Sequence, residues 1–161
     1  MKRQFRHVLP YTPEQLFDVV ADVRRYPEFI PYLQSMRVWE EQDEAPGVSS
    51  FKAEAKIGFG LFRESFGTLV GLNRPAGEIE AYLISGGFHR LENRWRFSPH
   101  DQGCAVDFFI DMELKSRLLQ SMVDANADKV TGKIVKGFEA RARQLYGAVP
   151  AVELTSPTLA G

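Results

Sequence analysis

The chain has 161 residues, a formal net charge of −1 and 44% hydrophobic residues. That length holds one domain with a full core, and the near-zero charge argues against general electrostatic capture of nucleic acid or acidic membrane. No apolar run approaches the roughly 20 residues needed to span a bilayer, and the single Cys104 excludes an internal disulfide.

Residues 3–9 alternate, with Phe5, His7 and Leu9 on one side, and predict a strand. Thr12-Pro13-Glu14-Gln15 is a helix start: Thr12 caps, Pro13 suits the first position and Gln15 completes a capping box. Leu16, Phe17, Val20 and Ala21 form the buried stripe of a short helix. Proline pushes the residue before it out of the helical region, so the chain is expected to break at Tyr26-Pro27 and restart as a short aromatic segment closed by Pro31. Such a segment, carrying Tyr26, Phe29 and Tyr32, suits a lid over an apolar cavity.

Period-two alternation then predicts an antiparallel meander with one dry face. The expected strands centre on Met36 and Val38, on Phe51 to Ile57, on Phe62 to Leu72, on Ile79 to Leu83, on Leu91 to Phe97 and on Val106 to Met112. Asp43 to Gly47 is expected as a turn, and Gly58-Phe59-Gly60-Leu61-Phe62 as a hairpin tip. That tip either folds back on its own core or forms a hydrophobic mouth that touches a membrane. After Ser116 the period becomes helical: Leu118, Leu119, Met122, Val123, Val130, Ile134, Phe138, Ala142 and Leu145 share a face. One helix over 116–146 would be about 46 Å long. Gly132 and Gly137 inside it are expected to permit close packing or bending. The last residues, 147–161, lack periodicity and are expected as a disordered tail, leaving 1–146 as the domain.

Val20-Ala21-Asp22-Val23-Arg24-Arg25-Tyr26-Pro27-Glu28-Phe29-Ile30-Pro31 resembles the signature of the coenzyme Q-binding START-domain family. Leu91-Glu92-Asn93-Arg94-Trp95-Arg96-Phe97 resembles its second recurrent stretch. The resemblance covers roughly residues 3–146. This family is grouped with polyketide cyclase/dehydrase-like proteins and with the bacterial ribosome association toxin. It implies an α+β helix-grip START-like fold: a curved antiparallel β-sheet of six to seven strands around a long C-terminal helix, with two short helices after strand 1. It also implies non-enzymatic binding of ubiquinone or a related isoprenoid lipid, as a carrier or chaperone supporting respiratory electron transport.

In such a fold the in-facing aromatics either fill a plain core or wall a cavity. The ligand-binding residues expected on the cavity reading are Tyr26, Pro27, Phe29, Pro31, Phe62, Phe66, Asn93, Trp95, Phe97, Phe108, Ile134 and Phe138. Chain burial alone supplies affinity, since two isoprene units offer up to about 8 kcal/mol before ordering costs. Three polar residues share the in-facing register: Glu64, His89 and Asn93. An ionised Glu64 needs a partner unless a register slip exposes it. Asn93 either donates to a quinone carbonyl or ties neighbouring backbone together. His89, after Gly86-Gly87-Phe88, is expected near the sheet edge and exposed.

No catalytic set emerges, and His7, His89 and His100 show no metal-ligand spacing, so neither an enzyme nor a resident cofactor or metal is expected. The expected partners are a quinone or isoprenoid ligand and a membrane touched transiently by the Gly58–Phe62 loop. The ribosome is suggested only by the toxin branch, DNA is excluded, and a monomer is expected. The sequence shows no signal peptide and no transit-type segment, which predicts a cytoplasmic chain that meets the inner membrane peripherally. The runner-up function is a polyketide cyclase or dehydratase using Glu64 and His89.

Overall fold

A computed structural model describes residues 1–147; the expected tail beyond Gly147 lies outside the described residues. The elements are β1 (Lys2–Leu9), α1 (Pro13–Ala21), a 3-10 segment (Val23–Glu28), β2 (Leu33–Ala45), β3 (Val48–Phe59), β4 (Phe62–Asn73), β5 (Glu78–Gly86), β6 (Phe88–His100), β7 (Gly103–Leu114), α2 (Arg117–Ala125) and α3 (Ala127–Tyr146). All seven strands form one antiparallel sheet in the order β1-β7-β6-β5-β4-β3-β2. This is the expected α+β helix-grip arrangement.

The capping box at α1 is present in both directions. The Gln15 N–H donates to Thr12 Oγ1 at 3.1 Å, and the Thr12 N–H donates to Gln15 Oε1 at 2.9 Å. Leu16, Phe17, Val19 and Val20 are buried and pack at the α1 end of the sheet with Phe97, Cys104 and Ala142. Cys104 is fully buried, and burial pushes its thiol up to about 11. It is a small core residue with no nucleophilic character.

Four local expectations are corrected. First, the helix breaks at Asp22, not at Tyr26-Pro27: Pro27 sits inside the 3-10 segment, and no second helix restarts after it. A 3-10 turn tolerates proline where an α-helix would lose a ladder bond. Second, β2 runs through Ala45, so the turn shortens to Pro46-Gly47. Third, the terminal helix is two helices. The Asn126 side chain donates to the Met122 carbonyl at 2.8 Å and its N–H donates to Val123 at 3.1 Å, which closes α2 before α3 begins. Fourth, Leu118 and Leu145, expected on the buried stripe, are 59% and 50% exposed. Leu118 lies in the first turn of α2 and Leu145 in the last turn of α3, at the outer ends of the helix pair.

Gly137 is where a hydrogen side chain is required on α3. A Cβ there would meet the Phe29 carbonyl oxygen at 2.7 Å, so glycine lets the segment after the 3-10 turn lie directly on the helix. Gly132 meets nothing within 4 Å, and the close packing expected of it is absent.

Candidate functional site: an apolar cavity between sheet and helices

The interior holds two separate hydrophobic clusters. One gathers α1, Tyr26, Phe97, Trp95, Phe138 and the neighbouring strand residues. The other gathers Phe88, Leu91, Leu114 and Leu119 with Ile57, Phe62, Phe66, Ile110, Met112, Met122 and Val123. A continuous core would merge them; here a cavity of about 310 Å³ lies between. Part of the cause is small side chains facing inward at mid-sheet. Ala53, Ala55 and Ala81 all line the cavity, where larger residues would have filled it.

The end near α1 is aromatic. Trp95 lies 4.2 Å from Phe108 and 5.0 Å from Phe138, ring centre to ring centre. Tyr26 meets Phe138 edge-on at 5.2 Å. The Tyr26 hydroxyl donates to the Val20 carbonyl, and burial raises its pKa far above the ordinary phenol value, so it stays neutral. The opposite end mixes aliphatic side chains with Phe66 and Phe88, whose rings meet edge-on at 4.8 Å, and reaches the β3–β4 hairpin tip, where Phe59, Phe62, Arg63 and Glu64 join the lining.

The segment from Val23 to Tyr32 covers one side. Phe29 packs edge-on against Tyr26 at 5.7 Å and Phe138 at 5.4 Å. Arg141 of α3, whose side chain is only 12% exposed, stands over the Phe29 ring at 5.5 Å and 3.7 Å from the Glu28 carboxylate. Tyr32 holds a left-handed backbone at φ 72°, with its ring 5.2 Å from Phe59. That conformation, uncommon for a bulky residue, turns the chain from the lid into β2 at the mouth.

Of the residues expected from sequence, Tyr26, Pro31, Phe62, Phe66, Asn93, Trp95, Phe108, Ile134 and Phe138 line the cavity. Pro27, Phe29 and Phe97 do not. Phe29 stands behind Tyr26 and Phe138, and Phe97 is spent on α1, meeting Phe17 edge-on at 6.0 Å. Pro27 shapes the 3-10 turn and contributes nothing to the lining. The aliphatic lining residues Met36, Ile57, Ile110, Met112, Met122 and Val123 are missing from the site expected from sequence. Their signal is the same inward alternation and helical stripe, together with the inward alanines, which leave space at mid-sheet.

The polar candidates separate. Glu64 faces the cavity at its open end and accepts from the Ser65 N–H at 3.3 Å, partly exposed, so no deeply buried carboxylate results. His89 is exposed, because the β6–β7 register shifts between Phe88 and Arg90 and Phe88 takes the inward place. Asn93 lines the cavity and makes no hydrogen bond to a protein group among the described residues. It therefore does not tie backbone together. No group of three or more His, Cys, Asp or Glu among the described residues could hold a metal ion. A larger groove of about 480 Å³ near Asp22, Glu41 and Ser49 is polar, and its Arg24 already pairs with Glu41 at 2.7 Å.

A seven-stranded sheet gripping a terminal helix pair around an unfilled apolar chamber defines a START-like cavity protein. Residues 9–139 match the family model described as polyketide cyclase / dehydrase and lipid transport, and the chain belongs to that family. It is 30% identical over 145 residues to the ribosome association toxin RatA of Rickettsia prowazekii (strain Madrid E), covering 88% of this chain and 97% of that one. It is 32% identical over 145 residues to the mitochondrial coenzyme Q-binding protein COQ10 homolog B of Xenopus laevis, covering 87% of this chain but 57% of that one. Among solved structures, an 18 kDa protein of Caulobacter crescentus is 44% identical, with a TM-score of 0.77 over 92% of this chain and 99% of that one.

Proposed function

We propose that this protein binds ubiquinone or a related isoprenoid lipid in the apolar cavity and acts without catalysis, as a carrier or chaperone for respiratory electron transport. The observation that carries this reading is the chamber between two hydrophobic clusters, walled by Trp95, Phe108 and Phe138 at one end and by Phe66, Phe88 and aliphatic side chains at the other. The likeness to a coenzyme Q-binding protein supports the ligand class. The cyclase reading would need a positioned acid or base beside the substrate. Glu64 stands at the mouth and His89 points away from it, so the two do not converge.

A second reading, association with the ribosome, is favoured by the match over nearly the full length of a ribosome association toxin. The surface supports it less. The arginines on the outer side of the sheet are matched by carboxylates: Arg6 with Asp107, Arg90 with Asp111 and Glu113, Arg94 with Glu92, Arg96 with Glu78. Ribosomal RNA would have to displace those carboxylates. Organic extraction of the natively purified protein followed by mass spectrometry, run beside sedimentation with ribosomes, separates the readings. Extracted quinone without cosedimentation is the expected outcome; cosedimentation of lipid-free protein would replace the first reading with the second.

In the first reading the hairpin tip meets the membrane during exchange, peripherally and from the cytoplasmic side. Leu61 is 99% exposed at the tip, so the tip is not folded back on the core. Phe59 beside it is partly exposed and also lines the cavity, which joins the surface patch to the chamber. No helix among the described residues is long and apolar enough to cross a membrane. Leu61→Asp should lower co-flotation with phospholipid vesicles several-fold and slow lipid transfer between them. Unchanged flotation would remove the tip from the exchange step.

A further inference from the structure

We propose, building on the lipid-binding reading, that Asn93 anchors a neutral, hydrogen-bonding head group. The ligand then lies head inward, with its chain trailing toward the Gly60–Leu61 tip.

The polar side chains of the cavity lining can be taken one by one. The Tyr26 hydroxyl donates to Val20, and Thr131 donates to the Ala127 carbonyl at 2.7 Å. Arg63 donates to the Gly60 and Phe62 carbonyls at 2.8 and 2.9 Å, and Glu64 takes the Ser65 N–H. The Asn93 amide, the Thr68 and Tyr32 hydroxyls and the Trp95 indole N–H are left without a hydrogen-bonding protein partner among the described residues; of these only Asn93 is an amide. An amide offers two donors and an acceptor, and leaving it unpaired in an apolar chamber is costly. Asn93 sits opposite Ala81 on β5 and Ile110 on β7, so neither neighbour supplies one.

Position and charge then select the ligand's chemistry. Asn93 shares its strand face with Trp95, one pair further along, and so borders the wall of Trp95, Phe108, Phe138 and Tyr26. A flat conjugated ring stacks there, and a ring carbonyl accepts from the Asn93 amide. The charged residues of the lining, Arg63 and Glu64, both stand at the other end. A carboxylate or ammonium beside Asn93 would therefore be an unpaired charge in an apolar site. The cavity, at about 310 Å³, lies at the small end for ligand sites. It takes a ring and the first part of a chain, and the rest of a long chain leaves by the open end. The exposed tip stands at that same end.

The test is displacement of Nile red from the full-length protein by three ten-carbon-chain probes: decyl-1,4-benzoquinone, decylbenzene and decanoate. Wild type should rank them in that order. Asn93→Leu should weaken the quinone about three- to tenfold and leave decylbenzene within about twofold. Asn93→Val, a residue suited to strands, carries the same expectation if leucine is not accommodated. Quinone affinity unchanged in the variant, equal loss of quinone and decylbenzene, or decanoate binding as tightly as quinone would each overturn the proposal while leaving lipid binding standing. Failure of wild type to bind Nile red or any probe would instead bring down the lipid-binding reading, and this assignment with it.

Discussion

Phe17→Ala should lower the free energy of unfolding by about 3–5 kcal/mol, the usual cost of removing a buried phenylalanine. Phe17 is 2% exposed, meets Phe97 edge-on at 6.0 Å and lies under the Arg74 guanidinium at 4.4 Å. Arg74 also binds Asp18 of α1 at 2.7 Å, so one side chain holds both the ring and the helix that carries it. Domains of this size are stable by about 5–15 kcal/mol, so the loss is a large share of the whole. Residues of α1 do not line the cavity, and ligand affinity measured well below the unfolding transition should stay within about twofold. Urea unfolding followed by circular dichroism checks the first half and probe titration the second. A cost under about 1.5 kcal/mol would mean that the α1 end of the core is not the principal packed region.

Phe138→Ala should do the reverse, with a smaller loss of stability and a larger loss of binding. Its ring reaches Tyr26, Phe29 and Trp95 at 5.2, 5.4 and 5.0 Å, joining the lid, α3 and the sheet in one aromatic wall. Each such ring pair adds about 0.5–1.5 kcal/mol beyond burial. Phe138 already faces open volume, so its removal enlarges a cavity and does not create one in packed core. We expect about 2–3 kcal/mol in stability. Affinity for a short-chain quinone should fall more than tenfold, because the wall and the docking of the lid go together. Calorimetric titration of the folded variant decides it: full affinity with reduced stability would make Phe138 a core residue only.

Together these variants separate two jobs that one aromatic composition conceals. Phe97 and Trp95 share the inward register of β6, and their alternation alone gives them the same role. Yet Phe97 closes on α1 and Trp95 faces the chamber. Nothing local distinguishes them; what differs is which element lies above each.

Much of the architecture was legible because its causes are local. Strand alternation such as Phe51, Ala53, Ala55 is a period-two signal that survives any tertiary arrangement, and the Thr12–Gln15 box is complete within four residues. Trp95, Phe108 and Phe138 were placed on the inner face by the same periodicities. Tertiary structure alone decided the rest. His89 is exposed, as its place after Gly86-Gly87-Phe88 suggests; the register shift in β6–β7 pairing beside it, between Phe88 and Arg90, is what no single segment encodes. The helix break at Asn126 follows from a side chain capping its own helix, where no proline or glycine marks a stop. Whether inward residues meet or stand apart depends on how far the helices sit from the sheet. Gly137 lets the segment at Phe29 lie on α3, and alanines on the facing strands leave volume beneath, a balance across elements distant in sequence.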